Sequence, residues 1–147
     1  NGKCIVTTNG CFDLLHKGHI EYLEEARSLG DLLFVAVNSD SSVKENKGDL
    51  RPVNSETDRC RMIASLECVD VVFIFGEKDP RDFIGKIKPK IHVKGGDYKG
   101  RLIEQDAVEN NGGIVKLLSF INGYSTTSLI EKISRAYSNI KTEGKRI

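Results

Sequence analysis

CIVTTNGCFDLLHKGHIEYLEEARSLGDLLFVAV, residues Cys4–Val37, is the stretch on which the fold turns. It opens on a short apolar run, Cys4–Thr7, and closes on a longer one, Leu32–Val37, and neither alternates with polar residues. Runs of that kind mark strands buried on both faces, as in a parallel sheet. Between them HIEYLEEARSLG sets Ile20, Leu23, Ala26 and Leu29 at helical spacing, with Gly30 as the stop. The unit is strand, polar loop, helix, strand.

The same alternation continues outward. Val71–Phe75 (VVFIF), Ile91–Val93 and Ile114–Leu118 read as three more strands. Helices are predicted at about Glu56–Glu67, Arg81–Lys88, Ile103–Asn110 and Thr126–Ser138, the last with Leu129, Ile130, Ile133, Ala136 and Tyr137 on one side. Strand alternating with helix gives an α/β class, here a single Rossmann-like domain over residues 1–147. Its parallel sheet has about five strands, with helices on both faces. The longest irregular stretch, roughly Ser39–Asn54, is polar and rich in Lys, and loops of that length are usually functional or mobile. Ligands of such sheets lie beyond the carboxyl ends of the strands, where the strand order reverses. That rule directs attention to Asn9–His19, Asn38–Asn54, Gly95–Lys99 and Asn122–Ser128.

The chain's 147 residues suit one domain with a real core. Its 22 basic and 21 acidic side chains leave a net charge of +1, which argues against nucleic acid or an anionic membrane as the main partner. No apolar run approaches the ~20 residues of a membrane span, and no secretory signal opens the chain, so a cytoplasmic setting is expected. Cys4, Cys11, Cys60 and Cys68 form no C-x-x-C pair and read as reduced thiols. Cys11 reads as structural rather than reactive, having no basic neighbour in sequence to hold a thiolate. Asn1 stands where a start Met would be, so a longer parent chain is compatible with the sequence.

Chemistry concentrates in Gly10-Cys-Phe-Asp-Leu-Leu-His16-Lys-Gly-His19, which follows the first strand and opens the first helix. Gly10 permits a tight turn, and Gly18 lets a ligand approach backbone at the helix start. A helix N-terminus attracts anions through its free N–H groups and dipole. Two imidazoles spaced i, i+3 there can both donate to one phosphate. A zinc helix of the H-E-x-x-H type is excluded, because that motif needs i, i+4 spacing and a Glu. His92, inside a short apolar strand, reads as a satisfied structural histidine.

GCFDLLHKGH resembles the G-x-F-D-x-x-H-x-G-H signature of the cytidylyltransferase-like nucleotidyltransferases, relatives of the HIGH-motif superfamily. Asn38-Ser-Asp40, Lys44, Lys47, Arg51-Pro-Val-Asn54, Arg59, Lys94-Gly-Gly-Asp-Tyr98 and Gly123-Tyr-Ser-Thr-Thr127 fall in family order, so the resemblance runs from about Ile5 to Ile133. Together they look like the ADP-heptose synthase branch, whose domain also occurs as the C-terminal part of bifunctional kinase–adenylyltransferases. The glycerol-3-phosphate branch more often shows a G-D-D-W-like segment in place of KGGDY. It also carries Arg at the start of R-T-E-G-I-S-T-T, where this chain has Phe120.

The resemblance implies an adenylyltransferase that joins ATP to D-glycero-β-D-manno-heptose 1-phosphate and releases pyrophosphate. Glycerol-3-phosphate or ethanolamine-phosphate cytidylylation and FAD-synthetase-like adenylylation are the alternatives, and a non-catalytic nucleotide-binding module is the reading from a different class. His16 and His19 would act on the α-phosphate, Lys44 would bridge the two substrates, and Arg59 would reach the departing pyrophosphate. The nucleotide would touch Asn9, Gly10, Cys11, Phe12, Gly18, Lys47, Gly95, Gly96, Asp97, Ser125, Thr126 and Thr127, and the sugar phosphate Asp13, Asn38, Lys44 and Arg51. Mg²⁺ would be held mainly by the triphosphate, with Asp13 and Asp97 to orient it, and the enzyme would be a homodimer. Charged residues in a loop are ordinarily a solvated surface. What favours a role for Lys44, Lys47, Arg51 and Arg59 is their place just past the second strand, where a triphosphate of about four negative charges would sit. Ser125–Thr127 could merely cap the last helix, with Ser128-Leu-Ile-Glu131 also matching a capping box, yet three hydroxyls after Gly123 exceed what a cap requires.

Overall fold

A computed structural model describes residues 2–96, 100–119 and 123–138. The elements run β1 (Ile5–Gly10), α1 (Lys17–Ser28), β2 (Leu32–Asn38), α2 (Asp40–Lys47), α3 (Glu56–Ala64), β3 (Val71–Phe75), α4 (Arg81–Ile87), β4 (Ile91–Gly95), α5 (Gln105–Glu109), β5 (Ile114–Leu118) and α6 (Thr126–Tyr137). All strand pairs are parallel, in the order β3-β2-β1-β4-β5. This is the expected Rossmann-like sheet. The chain moves outward from β1 to β3, then returns to lay β4 on the other side of β1. The reversal places a crevice at the carboxyl ends of β1 and β4.

Side chains alternate between two cores because strand residues alternate in direction. Leu33, Val35 and Val37 of β2 pack with Tyr22, Leu23 and Ala26 of α1 and Ile63 of α3. Ala36 faces the other way, toward Phe83 and Ile84 of α4 and Val108 of α5. β1 adds a polar pin to each layer. Thr7 and Thr8 are both fully buried. Thr7 Oγ1 lies 2.8 Å from His92 Nδ1, and Thr8 Oγ1 lies 2.6 Å from the Tyr22 hydroxyl, which donates to the Val93 carbonyl at 3.2 Å. His92 is thus a buried strand histidine satisfied at Nδ1 only: its Nε2 has no hydrogen-bond partner among the described residues and lies 3.7 Å from Glu104 Oε1.

Several boundaries differ from expectation, each for a local reason. Gly30 does stop α1, but the helix already ends with Leu29 in a right-handed conformation. What demands glycine is closeness to β1: a Cβ there would sit 2.7 Å from the Cys4 carbonyl oxygen. The stretch expected to be irregular contains a helix, α2, whose N-cap Ser39 accepts from the Ser42 N–H at 3.2 Å. Only Ser42 and Val43 of α2 are buried, so its sequence carries no apolar period. α3 stops three residues short of Glu67, and α5 has five residues where eight were expected, Ile103–Asn110. β4 continues to Gly95, past Val93.

Candidate active site

The β1–α1 loop is held in an uncommon shape by its own aromatic residue. Phe12 takes a left-handed backbone conformation at φ 47°, which L side chains adopt only at a cost. The ring is thereby buried under Gly10, where a Cβ would come 2.9 Å from it, and edge-on to His19 with centroids 5.4 Å apart. His16 is the N-cap of α1, and its carbonyl accepts the His19 N–H at 2.9 Å. The two imidazoles stack with centroids 3.8 Å apart and planes 18° from parallel. Both Nδ1 atoms are buried and meet no hydrogen-bond partner among the described residues. Burial, and secondarily the charge of His16, pulls His19 down to about 4; burial also lowers His16. Both rings are therefore neutral near pH 7, which allows them to stack. Gly18 is packed rather than open, since a side chain there would meet Tyr124 Cβ at 3.0 Å and His16 Nδ1 at 3.1 Å. Tyr124 brings the start of α6 to the histidines, its ring 6.3 Å from that of His16.

The basic cluster divides into struts and free cations. Lys44 and Lys47 lie in the last turn of α2, exposed and without an ion pair among the described residues. Lys47, Arg59 and Arg51 all act on the Cys11 thiol, so these cations converge on the β1–α1 loop. Burial outweighs them and keeps the Cys11 thiol above its ordinary value, leaving it protonated and inert.

Arg59 departs from its expected role. Its side chain is fully buried, donating to the carbonyls of Cys11 at 2.6 Å and Asn54 at 3.1 Å and to Asp40 at 2.8 Å. With Nε, Nη1 and Nη2 all engaged, it is a strut tying the β1–α1 loop to α2, and not a hand reaching for pyrophosphate. Asp13 is corrected likewise. Its carboxylate, 1% exposed, accepts from Arg51 Nε at 2.6 Å and from the N–H groups of Val53 and Asn54 at 2.8 and 2.9 Å. Burial works to raise this carboxyl, but those donors win and hold it below the usual range. A carboxylate so enclosed braces residues 51–54, while Arg51 spends only its Nε on it and stays 18% exposed.

The remaining expected residues fall in three places. Gly95 ends β4, and Gly96, at φ 117°, donates its N–H to the Leu118 carbonyl. Asp97 and Phe120 lie outside the described residues. Ser125 caps α6 and forms a reciprocal box with Ser128, which replaces the box expected from Ser128 to Glu131. The hydroxyls of Thr126 and Thr127 make no hydrogen bond among the described residues, so the cap does not consume them. Asn9, next to last in β1, and Asn38, last in β2, lie on the α4 side. There they line a second cleft of about 450 Å³ with Phe75, Lys78, Arg81 and Lys94. KGGDY held the clue to Lys94, while nothing in the local sequence marked Lys78 or Arg81.

A five-stranded Rossmann-like sheet with paired histidines at the first helix and a hydroxyl turn beside them defines a nucleotidyltransferase. The cytidylyltransferase-like family model matches residues 7–132, and the chain belongs to that family. Among its relatives, the bifunctional protein HldE of Pelobacter propionicus is 50% identical over 138 residues, which is 93% of this chain. That of Aliarcobacter butzleri is 53% identical over 133 residues, 90% of this chain. The chain spans 28% and 27% of the length of these relatives. The lipopolysaccharide core biosynthesis protein from Thermoplasma volcanium superposes with a TM-score of 0.69 at 35% identity, covering 84% of this chain and all of that one. Pantothenate synthetase from Thermus thermophilus shares the fold at a TM-score of 0.53 and 16% identity, over 80% of this chain and 55% of that one.

Proposed function

We propose that this domain is the adenylyltransferase that moves AMP from ATP to D-glycero-β-D-manno-heptose 1-phosphate, giving ADP-heptose and pyrophosphate for lipopolysaccharide core or surface-glycan synthesis in the cytoplasm. The carrying observation is the stacked pair His16 and His19 at the α1 N-terminus, beside the sheet's switch point. The heptose assignment draws on the KGGDY segment and on the HldE relatives. The reading extends to ATP binding and to a homodimer, for which sedimentation is the direct measure.

A phosphate monoester is a competent nucleophile near neutral pH, so the reaction needs alignment and charge stabilisation more than a base. His16 and His19 each offer an N–H to the α-phosphate as charge builds, and they strengthen as donors because that charge favours the imidazolium. The α1 N-terminus adds its dipole. Lys44 and Lys47, free of internal ion pairs among the described residues, approach the phosphates at the junction of the two substrates. Thr126 and Thr127 donate to the leaving pyrophosphate. No described group of three or more His, Cys, Asp and Glu side chains is placed to hold a resident metal, and Asp13 is consumed internally. Mg²⁺ would enter with the triphosphate, as part of the substrate.

The test is pyrophosphate release with ATP or CTP crossed against heptose 1-phosphate, glycerol 3-phosphate and FMN. ATP with heptose 1-phosphate should give the highest turnover. Faster reaction of CTP with glycerol 3-phosphate would overturn the heptose assignment and leave the family intact.

A further inference from the structure

We propose that Tyr124 is a positioning residue: its ring closes the open end of the histidine stack, sets the orientation of His16, and links that orientation to the hydroxyl turn at the start of α6. This rests on the adenylyltransferase reading, in which His16 and the turn act on the two ends of one triphosphate.

No hydrogen bond orients the His16 ring among the described residues. It stands at the N-cap of α1 without a side-chain capping bond, and its buried Nδ1 has no partner there. A working imidazole is ordinarily held by a hydrogen bond at the nitrogen turned away from the ligand. Without one, χ2 is a broad torsion, and packing must do the holding. A column of four rings supplies it. Phe12 stands edge-on to His19 with centroids 5.4 Å apart, His19 stacks on His16 at 3.8 Å, and His16 meets Tyr124 at 6.3 Å with planes 31° apart. These are attractive aromatic arrangements. Phe12 closes one end of the column from the β1–α1 loop, and Tyr124 closes the other from the turn before α6.

Tyr124 is seated by its backbone. Gly123 turns the chain at φ 87°, and Gly18 admits Tyr124 against α1 by having no side chain. A Cβ at Gly18 would lie 3.0 Å from Tyr124 Cβ and 3.1 Å from His16 Nδ1, so one glycine receives both the tyrosine and the buried nitrogen. With Nδ1 turned in, Nε2 is the nitrogen left to meet a phosphate. α6 offers itself little other anchorage, since none of its twelve residues is buried, and short helices draw their stability from packing. Its start is held by the Tyr124 seat together with partly buried Leu129 and Ile130. Thr126 and Thr127 follow Tyr124 by two and three residues, so the hydroxyls and the imidazole share one support. That support brings the α-phosphate and the departing pyrophosphate into register, the alignment that in-line displacement requires.

The experiment pairs steady-state kinetics with NMR titration of the histidine Cε1–H signals, on the full chain and its Tyr124→Ala, Tyr124→Leu and Tyr124→Phe variants. The titration uses no substrate, so it tests the seat of His16 whatever the enzyme turns over. In the wild type, burial holds both imidazoles below 6.5. The ionisable neighbours of His16 are His19, Lys17 with its partner Glu21, and Tyr124 itself. Tyr124→Ala should let water onto His16 and raise its titration midpoint by about 0.5 pH unit or more, while His19, under Phe12, stays at about 4. The same variant should lower kcat about tenfold or more and raise the ATP KM by less. Tyr124→Phe should stay within about twofold of wild type in kcat, since the ring and not the hydroxyl does the positioning. Tyr124→Leu keeps apolar bulk and should show the kcat loss in smaller measure; it carries the test if the alanine variant does not fold. A wild type that fails to turn over ATP with heptose 1-phosphate overturns the substrate reading, and the variants are then compared on whichever phosphate monoester it accepts. An unmoved His16 titration in Tyr124→Ala, or a raised ATP KM with kcat intact, overturns the positioning role.

Discussion

Replacing Arg59 with Met removes three donors from the interior at once. The carbonyls of Cys11 and Asn54 lose their Arg59 partner, at a cost of about 1–3 kcal/mol each. Asp40, whose side chain is 35% exposed, recovers water and loses less. Met fills much of the volume and relieves the guanidinium's desolvation, so the net falls near the 3–5 kcal/mol typical of breaking a buried pair. For a domain of this size that is a fall of about 10–15 °C in Tm. Arg59→Lys should fare nearly as badly, since one ammonium cannot span acceptors arranged for a planar fork. Urea denaturation gives the stability, and calorimetric titration of the folded variants with ATP gives the affinity. If Arg59 instead reached the β/γ-phosphates, Arg59→Met would keep its Tm within about 2 °C and lose ATP affinity tenfold or more. That result would refute the strut.

Three further outcomes follow from the site. His19→Ala should lower kcat on the order of 10²–10³ with little change in the ATP KM, because its donor acts on charge that develops in the transition state; a full kcat would make the residue structural. The folded value of His19 lies below its unfolded value of 6.5, so the stability it contributes is whole above pH 6.5 and is lost as pH falls through about 4. Allowing for partial exposure this amounts to about 2 kcal/mol, and His19→Gln should flatten unfolding free energy measured across that window; an unchanged slope would contradict the shift. Thr126→Val should weaken ATP binding by about 1–3 kcal/mol with no change in Tm, whereas Ser125→Ala, which removes the cap, should speed amide exchange in α6 through a loss of about 1 kcal/mol. The opposite pattern would exchange the roles of the two residues.

The sheet was legible because its strands are apolar on both faces: Val71–Phe75 and Ile114–Leu118 lie where their runs placed them. The helix α2 was not, because with two small or branched side chains buried it has no stripe to read. The histidines were legible because their chemistry is local, two residues on one turn. Burial of charge was not. Arg59 meets Cys11 across 48 residues and Arg51 meets Asp13 across 38, so each looks like an ordinary surface ion until the chain is folded. The same holds for Glu104, whose position at a helix start suggests a cap and whose partners lie in the neighbouring strand.

The two threonines of β1 tie the accuracy of the core to the accuracy of the site. A register shift of one residue turns every side chain of a strand to the opposite face. Slipped one way, β1 would set Val6 against His92 and leave a buried imidazole without its hydroxyl. Slipped the other, it would set Asn9 against Tyr22 and draw that amide out of the cleft. Only the observed alignment satisfies both layers, and it is the alignment that delivers Asn9 and Gly10 to the crevice. Proofreading of the fold and placement of Asn9 and Gly10 at the crevice are thus performed by the same two hydroxyls, deep in the protein.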